Sequence, residues 1–422
     1  MQKVFIISYF FEPCKFVGSE RVEYWAENLH NHGFYPVILT RQWNKGQLNL
    51  TDNVINNKYK HIVYDNYEVY KLPYKRTLRD KLAKHKNLSF FRKILTFIES
   101  IFSNFFLKAL PFSNFYQQAD YILKNNPKIK FIINSLSPHH ALFISYKLKK
   151  KYPEKIFIAD YRDEWTTRKT NFPNNFLEKI IFKLNKISEK RWASNTDLFI
   201  TVSEKWKQSL AKYLNKKGYV IKNGYNITKN IHLNKVPKGK KLQIIYLGTL
   251  YSYQKIEIFI NAVKRLSIRY PKSIKVDFYG LEIRPDQKTR LQELTKGFEN
   301  LFFIHTRINK KELSEKLKNS DIGLLTSYEN LDGCLPVKIF DYYSHGLNIL
   351  MCPSDLDEME SFILKTNSGV VVNTEEECYN ELLKFVTNKQ RNKMTYPKKN
   401  NYFSEYSREN QTSILSKILL KY

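Results

Sequence analysis

Apolar residues along the chain gather into short unbroken runs, separated by stretches in which they recur at helical spacing. The first run, Val4 to Tyr9, is nearly continuous, the pattern of a strand covered on both faces of a parallel sheet. A turn region with Pro13 and Gly18 follows. Val22, Trp25, Ala26 and Leu29 then repeat on one helical face, with Gly33 as the stop. The run 36–40 completes one right-handed βαβ unit. Strands predicted at 131–134, 156–160 and 198–202 alternate with helices at 139–151, at 174–196 and from Glu204 onward. A short strand in YVIKNG ends this series near Lys222.

Residues 223–241 are polar and basic and lack apolar periodicity, as a linker does. A second series then starts afresh, with strands at 242–248, 275–280, 301–306, 321–327, 348–353 and 369–372 and helices at 255–270, 287–297, 310–319 and 337–346. Two complete series predict an α/β chain of two Rossmann-like parallel-sheet domains, 1–222 and 242–405, facing a cleft. Residues 406–422 read as a terminal helix that crosses back to the first domain. A length of 422 residues exceeds what one core supports, and a hydrophobic share of 42% is ample for two.

Charge then narrows the partners. Seventy Lys and Arg against 40 Asp and Glu leave a formal charge of +30, a field that concentrates anions. Nucleic acid, an acidic membrane surface and phosphorylated substrates all fit. Lys, Asn, Ile and Tyr are abundant together, so AT-rich coding bias supplies a share of the excess. No nucleic-acid-reading motif accompanies the charge. Cys14, Cys334, Cys352 and Cys378 show neither CxxC spacing nor matching His pairs, which points away from zinc and disulfides and toward a reducing cytoplasm. The opening MQKVFIISYFF has no secretion-signal pattern. Residues 94–112 approach membrane length, but Glu99, Ser103, Asn104 and Lys108 interrupt them. Residues 71–93 carry nine Lys or Arg against one acid, with paired aromatics. That composition suits a segment lying on anionic lipid; the alternative is a solvated basic loop and helix with an ordinary core-facing apolar side.

In open parallel sheets, ligands bind at the carboxyl ends of strands, where helix N-termini favour anions. The loop after the first strand holds Gly18, Ser19, Glu20 and Arg21; Gly18 lets a bound group approach the backbone, or simply meets a turn requirement. Asp160, Arg162 and Asp163 crowd the end of the strand 156–160. Such charges are costly unless paired or used, and an Asp160–Arg162 ion pair is the structural alternative. Gly248 ends the first strand of the second series and Lys255 opens the next helix, a place for a cation to meet a phosphate, although any surface lysine fits that pattern. Lys338 and Asp341 share one helical face in LPVKIFDYYSHG (335–346), with a local ion pair as the alternative. Asp355 to Asp357, DLD, imitates a metal-binding pair but precedes a helical run, so helix capping is expected.

The segments YFFEPCKFVGSERVEYWAENLHNHGFYPVILT, SLSPHH, DYRDEW, VSEKW, VIKNGYN, IIYLGTLYSYQK and LPVKIFDYYSHGLNIL follow one another in a distinctive order and spacing. On them the chain resembles, over nearly its whole length, the retaining GT-B glycosyltransferases of family 4, in the bacterial surface-polysaccharide branch. The resemblance implies that Gly18 lies near the reacting phosphates and that His139 approaches the donor sugar. Gly248, Thr249, Lys255, Gly280, Leu335, Pro336, Val337 and Lys338 would line the nucleotide-sugar site. Lys255 would take the diphosphate, and Asp341 would hold the ribose hydroxyls where Glu is usual. His139 with Asp160, Arg162 and Asp163 would shape the sugar and acceptor side. Two departures stand out. Thr249 to Tyr253 replace the usual Arg before the Lys, and the first acid of the paired-glutamate motif falls on Gly333, leaving Glu329 or Asp332 as stand-ins.

The resemblance implies no dedicated metal site and no cofactor beyond the donor, a UDP-sugar being expected and a GDP-sugar the alternative. The expected activity is transfer of a hexose-type sugar to a lipid-linked glycan acceptor, as in capsule or O-antigen synthesis. Its expected place is cytoplasmic and peripheral, on the anionic inner leaflet of a bacterial plasma membrane. An epimerase or phosphorylase on the same fold is the first alternative, and a basic nucleic-acid-binding protein the second.

Overall fold

The computed structural model describes residues 1–14, 16–43, 58–74, 77–82, 88–227, 239–397, 400 and 402–422. The chain divides into one unit of Met1–Asn223 with Arg408–Tyr422, and a second of Gly224–Ser407. Most of the predicted linker, 228–238, lies outside the described residues.

The first unit runs β1 (Gln2–Ser8), α1 (Val17–Asn28), β2 (Phe34–Arg41), β3 (Lys60–Val63), β4 (Glu68–Leu72), α2 (Leu78–Leu82), α3 (Ser89–Phe102), α4 (Asn114–Asn125) and β5 (Phe131–Ser135). It continues through α5 (Leu142–Lys151), β6 (Ile156–Tyr161), α6 (Phe176–Ala193), β7 (Leu198–Thr201), α7 (Glu204–Leu214) and β8 (Gly218–Val220). Its sheet has the order β3-β4-β2-β1-β5-β6-β7-β8. All pairs are parallel except β3 against β4. Apolar runs such as Val4 to Ile7 are buried on both faces, as helix-covered parallel strands require.

Nothing in the apolar pattern predicted β3 and β4. β3 is mostly exposed. β4, EVYKL, is wholly buried, yet its charges are matched inside the fold. Glu68 accepts from Lys3 Nζ at 2.9 Å and from Tyr70 Oη at 3.2 Å, and Lys71 Nζ donates to Glu12 O at 3.1 Å. The basic stretch 71–93 is therefore not one surface segment: Lys71 belongs to a buried strand, and 75–76 and 83–87 fall outside the described residues. Its helix α3 buries no side chain fully, although Leu95, Phe97 and Ile101 are half-buried.

The second unit runs β9 (Leu242–Leu247), α8 (Glu257–Arg269), β10 (Ile274–Tyr279), α9 (Pro285–Leu294), β11 (Phe302–His305), α10 (Lys310–Asn319) and β12 (Ile322–Leu325). It closes with α11 (Val337–Ser344), β13 (Asn348–Met351), α12 (Glu358–Thr366), β14 (Gly369–Val371), α13 (Glu375–Gln390) and α14 (Tyr402–Glu405). Its sheet, ordered β11-β10-β9-β12-β13-β14, is parallel throughout. Gly323 on β12 leaves no room for a Cβ because the Tyr342 ring lies against it. Thus α11 packs close enough for Leu247 N to donate to Tyr342 Oη at 2.9 Å.

The chain's last helix, α15 (Arg408–Leu420), returns to the first unit. Its Leu415, Ile418 and Leu419 join Val22, Trp25 and Leu29 in one buried cluster.

Candidate functional site

In the second unit, β9 and β10 both end on glycines in the left-handed region, Gly248 at φ 88° and Gly280 at φ 93°. A Cβ on Gly280 would lie 3.3 Å from Gly248 Cα. L side chains are disfavoured at such φ, so neighbouring strand ends present bare backbone. Gly248 N donates to Tyr279 O at 2.8 Å, which keeps the two ends in register.

Between Gly248 and α8 the chain makes a loop pinned from two sides. Buried Gln254 accepts from Tyr251 N at 3.0 Å and donates to Thr326 O at 3.2 Å, tying the loop to the end of β12. Arg290 of α9 donates to Gln254 O at 3.0 Å and Tyr251 O at 3.3 Å while pairing with Glu257 at 2.5 Å. Thr249 is half-buried, and its carbonyl accepts from Tyr246 Oη at 3.1 Å. Lys255 sits in this loop, two residues before α8, and does not open the helix as predicted. Its exposed amine meets Glu329 Oε1 at 2.6 Å, and that hydrogen bond raises its pKa.

Leu335 is buried and Pro336 caps α11, whose first turn carries Val337 and Lys338. Lys338 turns inward, its Nζ 3.9 Å from the Tyr246 ring centroid. Burial pulls its pKa down to about 7, and its Nζ has no hydrogen-bond partner among the described residues. The alternative of a Lys338–Asp341 ion pair is therefore not realised; Asp341 sits half-buried on the same helix. Asp355 accepts from Asp357 N, Met359 N and Glu360 N at 3.0–3.1 Å, so DLD caps α12. Asp357 accepts from Gly333 N at 2.5 Å.

In the first unit, Asp160 at the end of β6 is wholly buried, with Arg21 Nη2 3.0 Å from its Oδ1. Burial raises the Asp160 pKa and lowers that of Arg21 to about 10, each partner opposing the other's shift. Asp160 is thus paired with Arg21 and not, as the structural alternative had it, with Arg162. Arg162 instead donates to Gly18 O. Gly18 lies inside α1, which begins at Val17, so the stretch from Gly18 to Arg21 read as a loop is already helical. A Cβ there would meet Arg162 Nη1 and the Phe10 ring at 3.1 Å, so the missing side chain makes room for those two groups.

His139 opens a short 3-10 turn, His139–Ala141. Its ring stacks on Trp165 at 5.5 Å and 6°, and its Nε2 donates to Asp163 O at 3.2 Å. That contact assigns the Nε2–H tautomer and leaves Nδ1 as an acceptor. Burial lowers the His139 pKa, favouring the neutral ring. The Asp163 carboxylate is exposed and pairs with Arg168 Nη1 at 3.2 Å. The first unit therefore holds two groups, Gly18 with Arg162 and Arg21 with Asp160 in one, His139 with Asp163 and Trp165 in the other. Sequence reasoning missed Gln254 and Arg290, whose ties to Thr326 O and to Tyr251 O, Gln254 O and Glu257 reach across 33 to 72 residues of sequence.

No protein-family model matches the chain, and no curated protein matches it by sequence. Solved structures match along the whole length. Sucrose-phosphate synthase from Thermosynechococcus elongatus aligns with a TM-score of 0.65 at 12% identity, covering 100% of this chain and 99% of that one. WaaG, a glycosyltransferase involved in lipopolysaccharide biosynthesis, aligns at 0.59 and 12%, covering 98% and 99%. The alpha,alpha-trehalose-phosphate synthase (UDP-forming) from Burkholderia xenovorans, in complex with glucose-6-phosphate, aligns at 0.60 and 9%, covering 100% and 99%. These are GT-B glycosyltransferases, and such identities speak to architecture alone. Together with the two parallel sheets described above, they establish that this chain has the GT-B fold.

Proposed function

We propose that the chain is a retaining glycosyltransferase, of the family 4 type, that moves a sugar from a nucleoside-diphosphate donor to a glycan acceptor. The observation that carries this reading is the bare backbone made by Gly248 and Gly280 at adjacent strand ends, with Lys255 on the loop that leaves one of them. A departing nucleoside diphosphate gathers negative charge on a phosphate oxygen while the sugar carbon becomes cation-like. Fixed N–H dipoles and cations at the phosphates lower that barrier most. In this reading Lys255 exchanges Glu329 for the diphosphate, and Asp341 accepts from the ribose hydroxyls. His139, held neutral, offers Nδ1 on the sugar side, and Asp163 and Arg162 shape the acceptor side. Buried Asp160 acts through Arg21 as a positioning group.

A UDP-sugar is the proposed donor, supported by the UDP-forming neighbour. A lipid-linked bacterial surface glycan, met at the anionic inner leaflet, is the proposed acceptor. Support for it comes from the motif resemblance and from the lipopolysaccharide role of WaaG. The test is thermal stabilisation by UDP-, GDP- and ADP-sugars, since a ligand of the folded state raises its melting point. Sugar transfer by Lys255→Ala is then measured. A UDP-sugar shift in the wild type, with transfer down about 100-fold in the variant, is expected. Normal transfer by Lys255→Ala ends the reading.

A further inference from the structure

Among the described residues of the first unit, α3 carries a run of exposed apolar side chains. Phe90, Phe91, Ile94, Ile98 and Phe102 are 40–68% exposed and fall in one stripe about 120° wide. Past the helix end the stripe continues in the exposed Phe105 and Phe106, with the Phe102 and Phe106 rings stacked 5.7 Å apart. An open hollow of about 230 Å³ widens it, walled by Ile98, Phe102, Ala109, Leu110 and Pro111, with Glu99 and Lys108 its charged members. The ridge is anchored at its end. Asn104 Nδ2 donates to Asn185 Oδ1 at 3.0 Å, and Arg191 Nη2 donates to Asn104 O at 2.8 Å. Arg92, Lys93 and Lys108 stand exposed around it. No helix among the described residues is long and apolar enough to cross a membrane.

Contiguous apolar faces of this kind are rare on a protein that meets only water. A second copy of the chain would bring like-charged rims together, on a molecule whose net charge is already +30. An anionic bilayer instead offers acyl chains to the aromatics and phosphates to the cations. We propose that the α3 ridge inserts into the acyl-chain boundary of an anionic membrane, with Arg92, Lys93 and Lys108 on the headgroups. Attachment is thus mainly by apolar insertion, and the basic stretch upstream is secondary. This deepens the reading of a lipid-linked acceptor, yet its test needs no sugar chemistry.

Full-length protein is floated with vesicles of phosphatidylcholine alone and of phosphatidylcholine with phosphatidylglycerol, at low and high salt. Wild type is expected to float with the anionic vesicles and to remain partly bound at high salt, where screening removes most of the charge attraction. The variant Phe90→Ser/Phe91→Ser/Phe106→Ser is expected to lose partitioning by about tenfold or more, with UDP-induced stabilisation unchanged. The three side chains are exposed, so the variant should fold, and circular dichroism verifies that it does. Three results overturn the proposal: no flotation of wild type, complete release at high salt with the triple variant binding normally, or light scattering that shows a dimer which the variant splits. Flotation without any nucleotide-sugar response would leave this proposal standing and remove the enzymatic one.

Discussion

Lys338 shows how far a single environment can depart from what a side chain prefers. Its pKa falls from 10.5 to about 7 on burial, while the unfolded chain keeps the ordinary lysine value. Folding therefore releases a proton across that window, the penalty being full below about pH 7 and relieved as pH rises toward 10.5. Lys338→Met, which keeps the length and drops the charge, should raise the melting temperature at about pH 6 and flatten the rise above neutrality. Melts across pH test this; an unchanged profile counts against it. At Gly280 the argument is steric: alanine at φ 93°, with its Cβ 3.3 Å from Gly248 Cα, is strained and crowded. Gly280→Ala should cost roughly 1–2 kcal/mol and weaken UDP binding, as denaturant titration and calorimetry would read.

Elements are held by residues that sequence patterns leave silent. The loop leaving β9 owes its shape to Arg290, one helix away, whose guanidinium donates to the carbonyls of Tyr251 and Gln254. Arg290→Met should cost about 1–3 kcal/mol, because it removes the guanidinium from Glu257 and one of the two donors from each of those carbonyls, which keep Gln254 N and Ile256 N. It should also raise KM for the donor more than it lowers kcat; an unaltered KM would show that the loop holds without it. Strands with near-continuous apolar runs, such as β1, β5 and β9, were legible because burial on both faces leaves few polar positions. The β3–β4 pair was not, since Glu68 and Lys71 are buried through partners at Lys3 and Glu12 that lie far off in sequence. The start of α1 was missed for a related reason: Gly18 reads as a turn residue, yet it sits in a helical turn that needs space for Arg162.

On the scale of the whole chain, the last helix belongs to the first unit although it follows the second in sequence. Leu415, Ile418 and Leu419 of α15 are nearly or fully buried, each contributing roughly 1.5–3 kcal/mol. Truncation before Arg408 should therefore unfold the first unit or lower its stability by about 5 kcal/mol or more. Chemical denaturation followed at the first unit's Trp25 is the measurement, and a truncated chain of normal stability would refute it. The net charge of +30 acts at the same scale. The association rate of an anionic nucleotide should fall as ionic strength rises, with little change in dissociation, which stopped-flow mixing would show.

Alternation of apolar runs with helical spacing was enough, by itself, to determine two α/β series and the parallel strands of their sheets, though not the β3–β4 edge, because backbone burial and side-chain period are local properties. It also marked the strand ends where Gly248, Gly280, Asp160 and His139 lie. Which charges pair was decided only by the tertiary structure. Asp160 meets Arg21 and not Arg162, Lys338 turns onto Tyr246 and away from Asp341, and Lys255 meets Glu329. The physical reason is that an ion pair or a buried amine is fixed by the three-dimensional approach of elements distant in sequence, about which spacing along the chain carries no information.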